Sequence, residues 1–231
     1  MDLSYLWSAL QAGAGKILPT VVLALVPFGI GVLLGLPAAL GRYFRVPVLK
    51  QTLDVLVSLI KGIPVLLMLM AFYVISSQSF DSVMQSLGLP FSFRGLPKGL
   101  IAGAALAVYA AAALSEVFRG ALASVPKGQY DAAYACGLSK SQAMRRIILP
   151  QVLPVSLPMG CNIMIALIKS AALGSLVSFI DVMNAAVNSM AASYRFLEAY
   201  IAAALIYWGI CVITEQLFKL LEHHFARRRT A

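Results

Sequence analysis

The sequence predicts an all-α integral membrane protein with about five transmembrane helices. Of its 231 residues, 61% are hydrophobic and only 12% are charged, whereas a soluble domain carries about 25% charged residues. The hydrophobic residues form five long runs, each near the roughly 20 residues that a spanning helix needs. These runs and their connections occupy the whole chain. We therefore expect residues 1–231 to form a single transmembrane domain.

The first sixteen residues predict a helix that lies along the membrane surface. Leu3, Leu6, Trp7 and Leu10 recur at helical spacing, which places them on one face of a helix. Tryptophan is enriched at the depth of the lipid headgroups. We interpret segment 1–16 as an interfacial amphipathic helix ahead of the first span.

The first span, from about Ile17 to Leu40, and the third, from about Gly99 to Val117, predict close helix packing. Gly31 and Gly35 form a GxxxG pair in the first span, a spacing that lets another helix approach closely. Alanine dominates the centre of the third span. Such small side chains favour contact with other helices over contact with lipid.

The second span, from about Leu53 to Ile75, is predicted to be kinked or broken. Lys61, Gly62 and Pro64 interrupt its apolar sequence, and a proline removes one backbone N–H and clashes with the preceding turn. A broken helix beside a charge is tolerated in a membrane against protein or a watery cavity. The alternative is that Lys61 only extends to the cytoplasmic surface.

Two further spans, about 147–168 and 196–220, enclose a less regular polar segment. Asn162 lies within the fourth span and Lys169 follows it. Polar and ionisable residues at membrane depth are candidates for a functional path, and Glu116 near the end of the third span is another. Two alternatives stay open, because Glu116 and Arg119 have the spacing of an ion pair and Lys169 could reach the outer interface.

The basic residues predict the orientation of the chain. Most of them lie in one set of loops, as in the stretch from Arg42 to Lys50 and the tail Arg227–Arg229. The opposite set of loops contains Lys16, Arg94, Lys98 and Arg195. Cytoplasmic loops carry the excess of Lys and Arg. The N-terminus is therefore expected outside and the C-terminus in the cytoplasm.

Residues 125–154 predict two short helices that project into the cytoplasm. The first, rich in alanine, ends at Gly137, the residue type that most often follows a helix. Ser139 and Gln142 have the spacing of a capping box for the second helix. A solvated loop would not need small residues on so much of its first helix, so we interpret the segment as a docking element for a partner protein.

This segment resembles the EAA loop of bacterial ABC importer permeases. The family pattern is Glu-Ala-Ala, three residues, Gly, nine residues, Ile-x-Leu-Pro, and the chain has Asp131-Ala132-Ala133, then Gly137, then 147–150 at the same spacing. Aspartate replaces the usual glutamate and keeps the carboxylate. Residues 116–120 and 126–129 also match motifs of the polar amino acid permease branch.

This chain departs from that branch in the third span, where Tyr109-Ala110-Ala111-Ala112 stands in place of a frequent Asn, and in two further segments. Lys61-Gly62-Ile63-Pro64 stands where the branch has Arg-Gly-Thr-Pro, and 168–173 differs at three positions from Leu-Lys-Asp-Thr-Ser-Leu. Both lie where such permeases contact substrate, so the departures concern which amino acid is carried and leave the family assignment unaffected.

The resemblance implies the type I permease fold and a permease subunit of an ATP-driven amino acid importer in the bacterial cytoplasmic (inner) membrane. Segment 119–147 would be the cytoplasmic coupling loop. The subunit would be non-catalytic and bind no cofactor, because ATP and Mg belong to an ABC ATPase dimer. Its other expected partners are a second permease chain, identical or different, an extracytoplasmic amino acid-binding protein, the amino acid and membrane lipid, with no nucleic acid.

The resemblance, together with the polar residues at membrane depth, predicts two sites. Coupling to the ATPase is expected at Asp131, Ala132, Ala133, Gly137, Leu138, Arg145 and Arg146. The substrate path is expected at Lys61, Gly62, Pro64, Glu116, Asn162, Lys169 and Ser170.

Two other classes of protein fit the sequence less well. A membrane-embedded enzyme would need paired carboxylates or a nucleophile with its base, but the two histidines are adjacent and the nine acidic residues are dispersed. The three cysteines form no CxxC pair and indicate no metal site. A stand-alone secondary carrier or channel remains the main alternative. It would work without an ATPase and would not need segment 125–154.

Overall fold

The structure, a computed structural model, describes the backbone of residues 2–227 and the side chains of residues 2–225. The predicted basic tail Arg227–Arg229 lies outside the described side chains. The helices are α1 Leu3–Ala14, α2 Ile17–Tyr43, α3 Leu49–Gly62, α4 Val65–Ser86, α5 Lys98–Ala123, α6 Lys127–Ala135, α7 Lys140–Ala143, α8 Leu149–Ala171, α9 Val182–Met190 and α10 Phe196–Arg227. A π-helical turn, Met144–Ile148, joins α7 to α8.

Five helical segments within residues 2–227 are long and apolar enough to cross a membrane. They are Ile17–Tyr43, Val65–Ser86, Lys98–Ala123, Lys140–Val177 and Phe196–Phe225. The described part of the chain contains no β-strand. The prediction of an all-α membrane protein with about five spans is therefore confirmed.

The alanine-rich helix α5 lies at the centre of the bundle. Alanines such as Ala105 and Ala110 are fully buried, and α2 runs closely alongside. A Cβ atom added to Gly31 would lie 2.7 Å from the Ala110 Cβ, and one added to Gly35 would lie 2.9 Å from the Ser115 backbone nitrogen. The close packing predicted for the GxxxG pair is confirmed, and α5 is the helix that packs there.

Two hydrophobic clusters stabilise the bundle. One includes Leu106 of α5 and Leu167 of α8, together with buried residues of α2, α4 and α10. The other includes Leu122 of α5, Ile148 of the π-helical turn and Val152 of α8, with aromatic residues from α2 and α6 packed against it. The second cluster therefore connects the α6–α7 segment to the spanning helices.

The predicted helix break is present between α3 and α4. Ile63 is extended, as residues before proline usually are, and Pro64 precedes the first residue of α4. The bounds predicted for the second span were wrong, however. The spanning helix is α4, and α3 is a separate helix with Asp54 and Lys61 among its residues.

The predicted second span ends at about Ile75, yet α4 continues through residues 76–86. This stretch contains no glycine or proline, and the chain leaves helical conformation only near Gly88, whose φ is +68°. Glycine adopts such angles without steric cost. Hydropathy therefore misplaced the end of the helix because it does not report backbone propensity.

The N-terminal helix predicted in residues 1–16 is α1. The side chain of Asp2 caps it by accepting a hydrogen bond from the Ser4 N–H. Ala9 is fully buried in a cluster with residues of α9 and α10, whereas Leu3 and Trp7 are exposed. The amphipathic character is therefore present, and the location of α1 in the membrane interface stays a prediction.

Candidate functional site

The α6–α7 segment, residues 125–148, forms an ordered projection at one end of the bundle. Helix α6 starts after Pro126, a residue type that suits a helix N-terminus. It ends at Gly137, whose φ of +79° lies in the left-handed region. The N–H groups of Gly137 and Leu138 donate to the carbonyls of Tyr134 and Ala133, which satisfies the free carbonyls of the last turn. The predicted glycine stop is confirmed.

A capping box starts α7, as the sequence predicted. The Gln142 N–H donates to the Ser139 Oγ at 3.3 Å, and the Ser139 N–H donates to the Gln142 Oε1 at 2.9 Å. Both bonds satisfy N–H groups that the helix leaves without an internal partner. The direction of the chain after the glycine turn is thus fixed by local hydrogen bonds.

One face of the projection is anchored to the bundle. Ala133 is buried at 5% exposure, and Tyr130 stacks on Tyr43 of α2 with the ring centroids 6.4 Å apart. Burial raises the pKa of the Tyr130 hydroxyl above its ordinary value, so this group stays neutral. The Gln151 side chain of α8 donates to the Gln129 side chain at 3.2 Å.

The opposite face of the projection is exposed. The exposed residues include Asp131, Ala132, Gly137, Arg145 and Arg146, and Leu138 is half-buried. The structure therefore brings six of the seven predicted coupling residues to the outer side of one segment, while Ala133 faces the bundle.

An open cleft of about 520 Å³ lies beside this face, between α2, α6 and the start of α8. Phe44, Tyr134 and Met144 contribute apolar surface to it, and Lys140 and Arg145 contribute positive charge. An apolar cleft with a basic edge suits a protein segment that combines apolar and acidic side chains.

A buried arginine connects three helices near the projection. Arg42, in the last turn of α2, is 6% exposed. Its Nε donates to the Asp54 Oδ1 of α3 at 2.7 Å, its Nη1 to the Ser115 Oγ of α5 at 3.0 Å, and its Nη2 to the Glu116 Oε1 of α5 at 2.5 Å. A buried guanidinium is tolerated when its donors are paired in this way.

Two more cations complete this network. Lys50 pairs with the second Asp54 oxygen at 2.7 Å, and Arg119 pairs with the second Glu116 oxygen at 2.8 Å. Hydrogen bonds from Lys50 and Arg42 lower the pKa of the Asp54 carboxyl. The i,i+3 pair considered for Glu116 and Arg119 is therefore present, and a path role for Glu116 stays a prediction.

The other predicted path residues occupy two separate places. Lys61, Gly62 and Pro64 are exposed at the α3–α4 break, and Asn162 and Lys169 are exposed on α8, where Ser170 is half-buried.

Asn162 lines a cavity of about 320 Å³ between α8 and α10, together with Glu215, Lys219 and Glu222. Within residues 2–225, Lys61, Asn162 and Lys169 make no side-chain hydrogen bond or ion pair, so their polar groups are available. The described residues also contain no group of three or more His, Cys, Asp or Glu side chains placed to hold a metal ion.

Sequence reasoning missed the contacts between distant residues. It treated Arg42 as one more basic residue and gave Tyr43 and Tyr130 no role. It also missed Asp181, which is fully buried, caps α9 and accepts a hydrogen bond from the Tyr207 hydroxyl at 2.6 Å. Lys50 and Asp54 have the i,i+4 spacing of a helix pair, a signal that could have been used, but no sequence pattern indicates the Arg42 contacts.

Five helices long and apolar enough to cross a membrane, with an ordered helical projection at one end, fit the membrane component of a transport system. The comparisons agree, because the family described as "binding-protein-dependent transport system inner membrane component" matches residues 31–227. This chain belongs to that family. It is therefore a multi-pass inner-membrane component of a binding-protein-dependent transport system.

Three relatives illustrate the match. The L-cystine transport system permease protein TcyL of Bacillus subtilis (strain 168) is 34% identical, over 87% of this chain and 81% of its own length. The octopine transport system permease protein OccM of Rhizobium radiobacter is 33% identical, over 96% of this chain and 89% of its own. The crystal structure of an amino acid ABC transporter with histidines has a TM-score of 0.80 and 26% identity, covering 97% of this chain and 99% of that chain. The predicted ABC importer permease fold is confirmed.

Proposed function

We propose that this chain is the permease subunit of an ATP-driven amino acid importer, and that its projection docks on a separate ATPase subunit. The exposed α6 carries this proposal. It presents Asp131 and Ala132 to solvent, is held at its other face by Tyr130, and is closed by Gly137. A stand-alone channel would not need an ordered, exposed helix outside its spans.

The ATPase subunit binds ATP and Mg and hydrolyses the ATP. The permease subunit itself performs no catalysis and holds no cofactor. Its contribution is the docking surface and the path. The cleft next to α6 has an apolar floor and a basic edge at Lys140 and Arg145. This composition supports a partner segment with apolar and acidic side chains.

An amino acid substrate is supported by the relatives and by the polar groups of α8 and α10. The names of two relatives assign them to the transport of L-cystine and octopine, both amino acid compounds. The cavity at Asn162 is lined by Glu222 and by the half-exposed ion pair of Glu215 and Lys219, whose charged atoms lie 2.8 Å apart. Groups of both signs beside one cavity suit the two charges of a zwitterion.

A second permease chain is supported by the exposure of α4. This helix buries only Met68 and Leu69 among the described residues, and it exposes the polar Ser77 and Gln78. Exposed polar groups in a spanning helix are costly in lipid, so we place this face against a second permease chain or the substrate path. The extracytoplasmic amino acid-binding protein would deliver the substrate on the opposite side from α6.

Co-purification with the ATPase subunit tests the docking proposal. Ala132→Trp adds a large side chain to the exposed face of α6, while Ala192→Trp makes the same change at an exposed residue of the loop before α10. We expect the wild type and Ala192→Trp to retain an equimolar ATPase and Ala132→Trp to lose it. Equal retention by all three proteins would contradict docking at α6.

A second experiment tests the path. Asn162→Leu removes the amide from the cavity, and Ile165→Leu changes a neighbouring apolar residue of the same cavity with little change in volume. Asn162→Leu is expected to reduce amino acid uptake while leaving ATPase binding intact. Unchanged uptake in Asn162→Leu would remove this residue from the path.

A further inference from the structure

Two consecutive residues at the end of α2 contact α3, α5 and α6, and so lie between the projection and the helix break. We call Arg42 and Tyr43 the α2 joint. Arg42 holds Asp54 of α3 and both Ser115 and Glu116 of α5. Tyr43 stacks on Tyr130 of α6.

The contact with α6 lies on the helix proposed to dock on the ATPase. Tyr130 immediately precedes Asp131, and its ring packs with Tyr43 against the hydrophobic cluster that contains Ile148. A displacement of α6 would therefore press directly on the last turn of α2. The two rings are near-parallel, with 24° between their planes and 6.4 Å between their centroids, which is the offset arrangement that aromatic pairs prefer.

The contact with α3 is the main polar link between that helix and the bundle. Val57 is the buried residue of α3 in the described structure, so few apolar contacts fix the position of this helix. One carboxylate oxygen of Asp54 forms an ion pair with Arg42, and the other forms an ion pair with Lys50. The end of α3 is the break at Gly62 and Pro64, where no atom lies within 4 Å of an added Gly62 Cβ.

We propose that the α2 joint transmits the displacement of α6 to α3 and, through the break, to α4. This inference rests on the proposed function. It names the residues that would carry the coupling from α6 to α4 through a connected set of contacts. Arg42, Tyr43 and Asp54 would determine how much transport each ATP drives. They would determine neither ATPase binding nor substrate binding.

The test measures amino acid imported per ATP hydrolysed, in proteoliposomes that contain the full importer. Asp54→Asn weakens the link to α3 and keeps the Arg42 contacts with α5. Asp81→Asn is the matched control. Asp81 lies near the end of α4, remote from the joint, and accepts a hydrogen bond from the Phe93 N–H of the following loop. Mutations along a connected network typically change the coupling between two sites by a factor of about 2 to 30.

We expect Asp54→Asn to bind the ATPase and hydrolyse ATP like the wild type, with an import ratio at least about two-fold lower. Asp54→Glu, which retains the carboxylate, should recover most of the ratio, and Asp81→Asn should keep it. Tyr43→Leu removes the ring stack at the other side of the joint and should lower the ratio in the same way.

A wild-type import ratio in both Asp54→Asn and Tyr43→Leu would overturn the joint while leaving the proposed function in place. A loss of ATPase binding in Asp54→Asn would also overturn it, because the role would then be structural. Uptake by the wild type without any ATPase would instead contradict the proposed function itself.

Discussion

Replacing Gly35 by alanine tests how the close contact between α2 and α5 contributes to the stability of the bundle. An alanine Cβ at this position would lie 2.9 Å from the Ser115 nitrogen and 3.0 Å from the Ala111 oxygen. Non-bonded carbon contacts are optimal at about 3.5–4.0 Å. Both neighbours are backbone atoms, which cannot rotate away, so α2 and α5 must move apart by a substantial fraction of an ångström.

Two effects of Gly35→Ala oppose each other. Overpacking a well-packed contact costs about 1–3 kcal/mol, whereas alanine in a helix is more favourable than glycine by up to about 1 kcal/mol. Gly29→Ala, on the same helix, isolates the second effect because no atom lies within 4 Å of its added Cβ. We therefore expect Gly35→Ala to be less stable than Gly29→Ala by about 1–3 kcal/mol.

The assay is reversible unfolding in mixed detergent micelles, from which the free energy of unfolding of each variant is obtained. Equal stability of the two variants would refute the close contact between α2 and α5. A more stable Gly35→Ala variant would show that the helices can adjust at no cost.

Three further predictions concern local structure. Ser139→Ala removes half of the capping box and should destabilise the projection by about 1 kcal/mol, measured as faster amide hydrogen exchange in α7. Asp181→Leu leaves the hydroxyl of Tyr207 without its acceptor and should lower the free energy of unfolding by about 1–3 kcal/mol, whereas Tyr207→Phe should cost less. The lowered pKa of Asp54 predicts a contribution to α3 docking that is present above the unfolded pKa and is lost as the pH falls through the folded value. Hydrogen exchange in α3 measures this pH dependence, and Asp54→Asn should abolish it.

The sequence was most informative where local chemistry determines the structure. Gly137 at the end of α6, the capping box at Ser139 and the break before Pro64 depend on residues within one or two turns, and each is present in the structure. The GxxxG pair also predicted a close helix contact correctly, although the spacing could not identify α5 as the helix that packs there.

Long-range contacts were the part that sequence patterns could not provide. Arg42 and Glu116 are 74 positions apart in the chain, and Asp181 and Tyr207 are 26 apart. No periodicity relates such residues, since their proximity follows from the packing of whole helices. The second span was misplaced for a related reason, because hydropathy alone could not separate the amphipathic α3 from the spanning α4.

ATP-dependent uptake in proteoliposomes is the measurement that tests the central proposal most directly. The permease chain is reconstituted alone, then with the ATPase subunit, and then with the binding protein as well, and the accumulation of a labelled amino acid is followed. We predict accumulation only when all components and ATP are present, with loss of uptake in Ala132→Trp. Accumulation by the permease chain alone, driven by an ion gradient and unaffected by Ala132→Trp, would contradict the account and identify a stand-alone carrier.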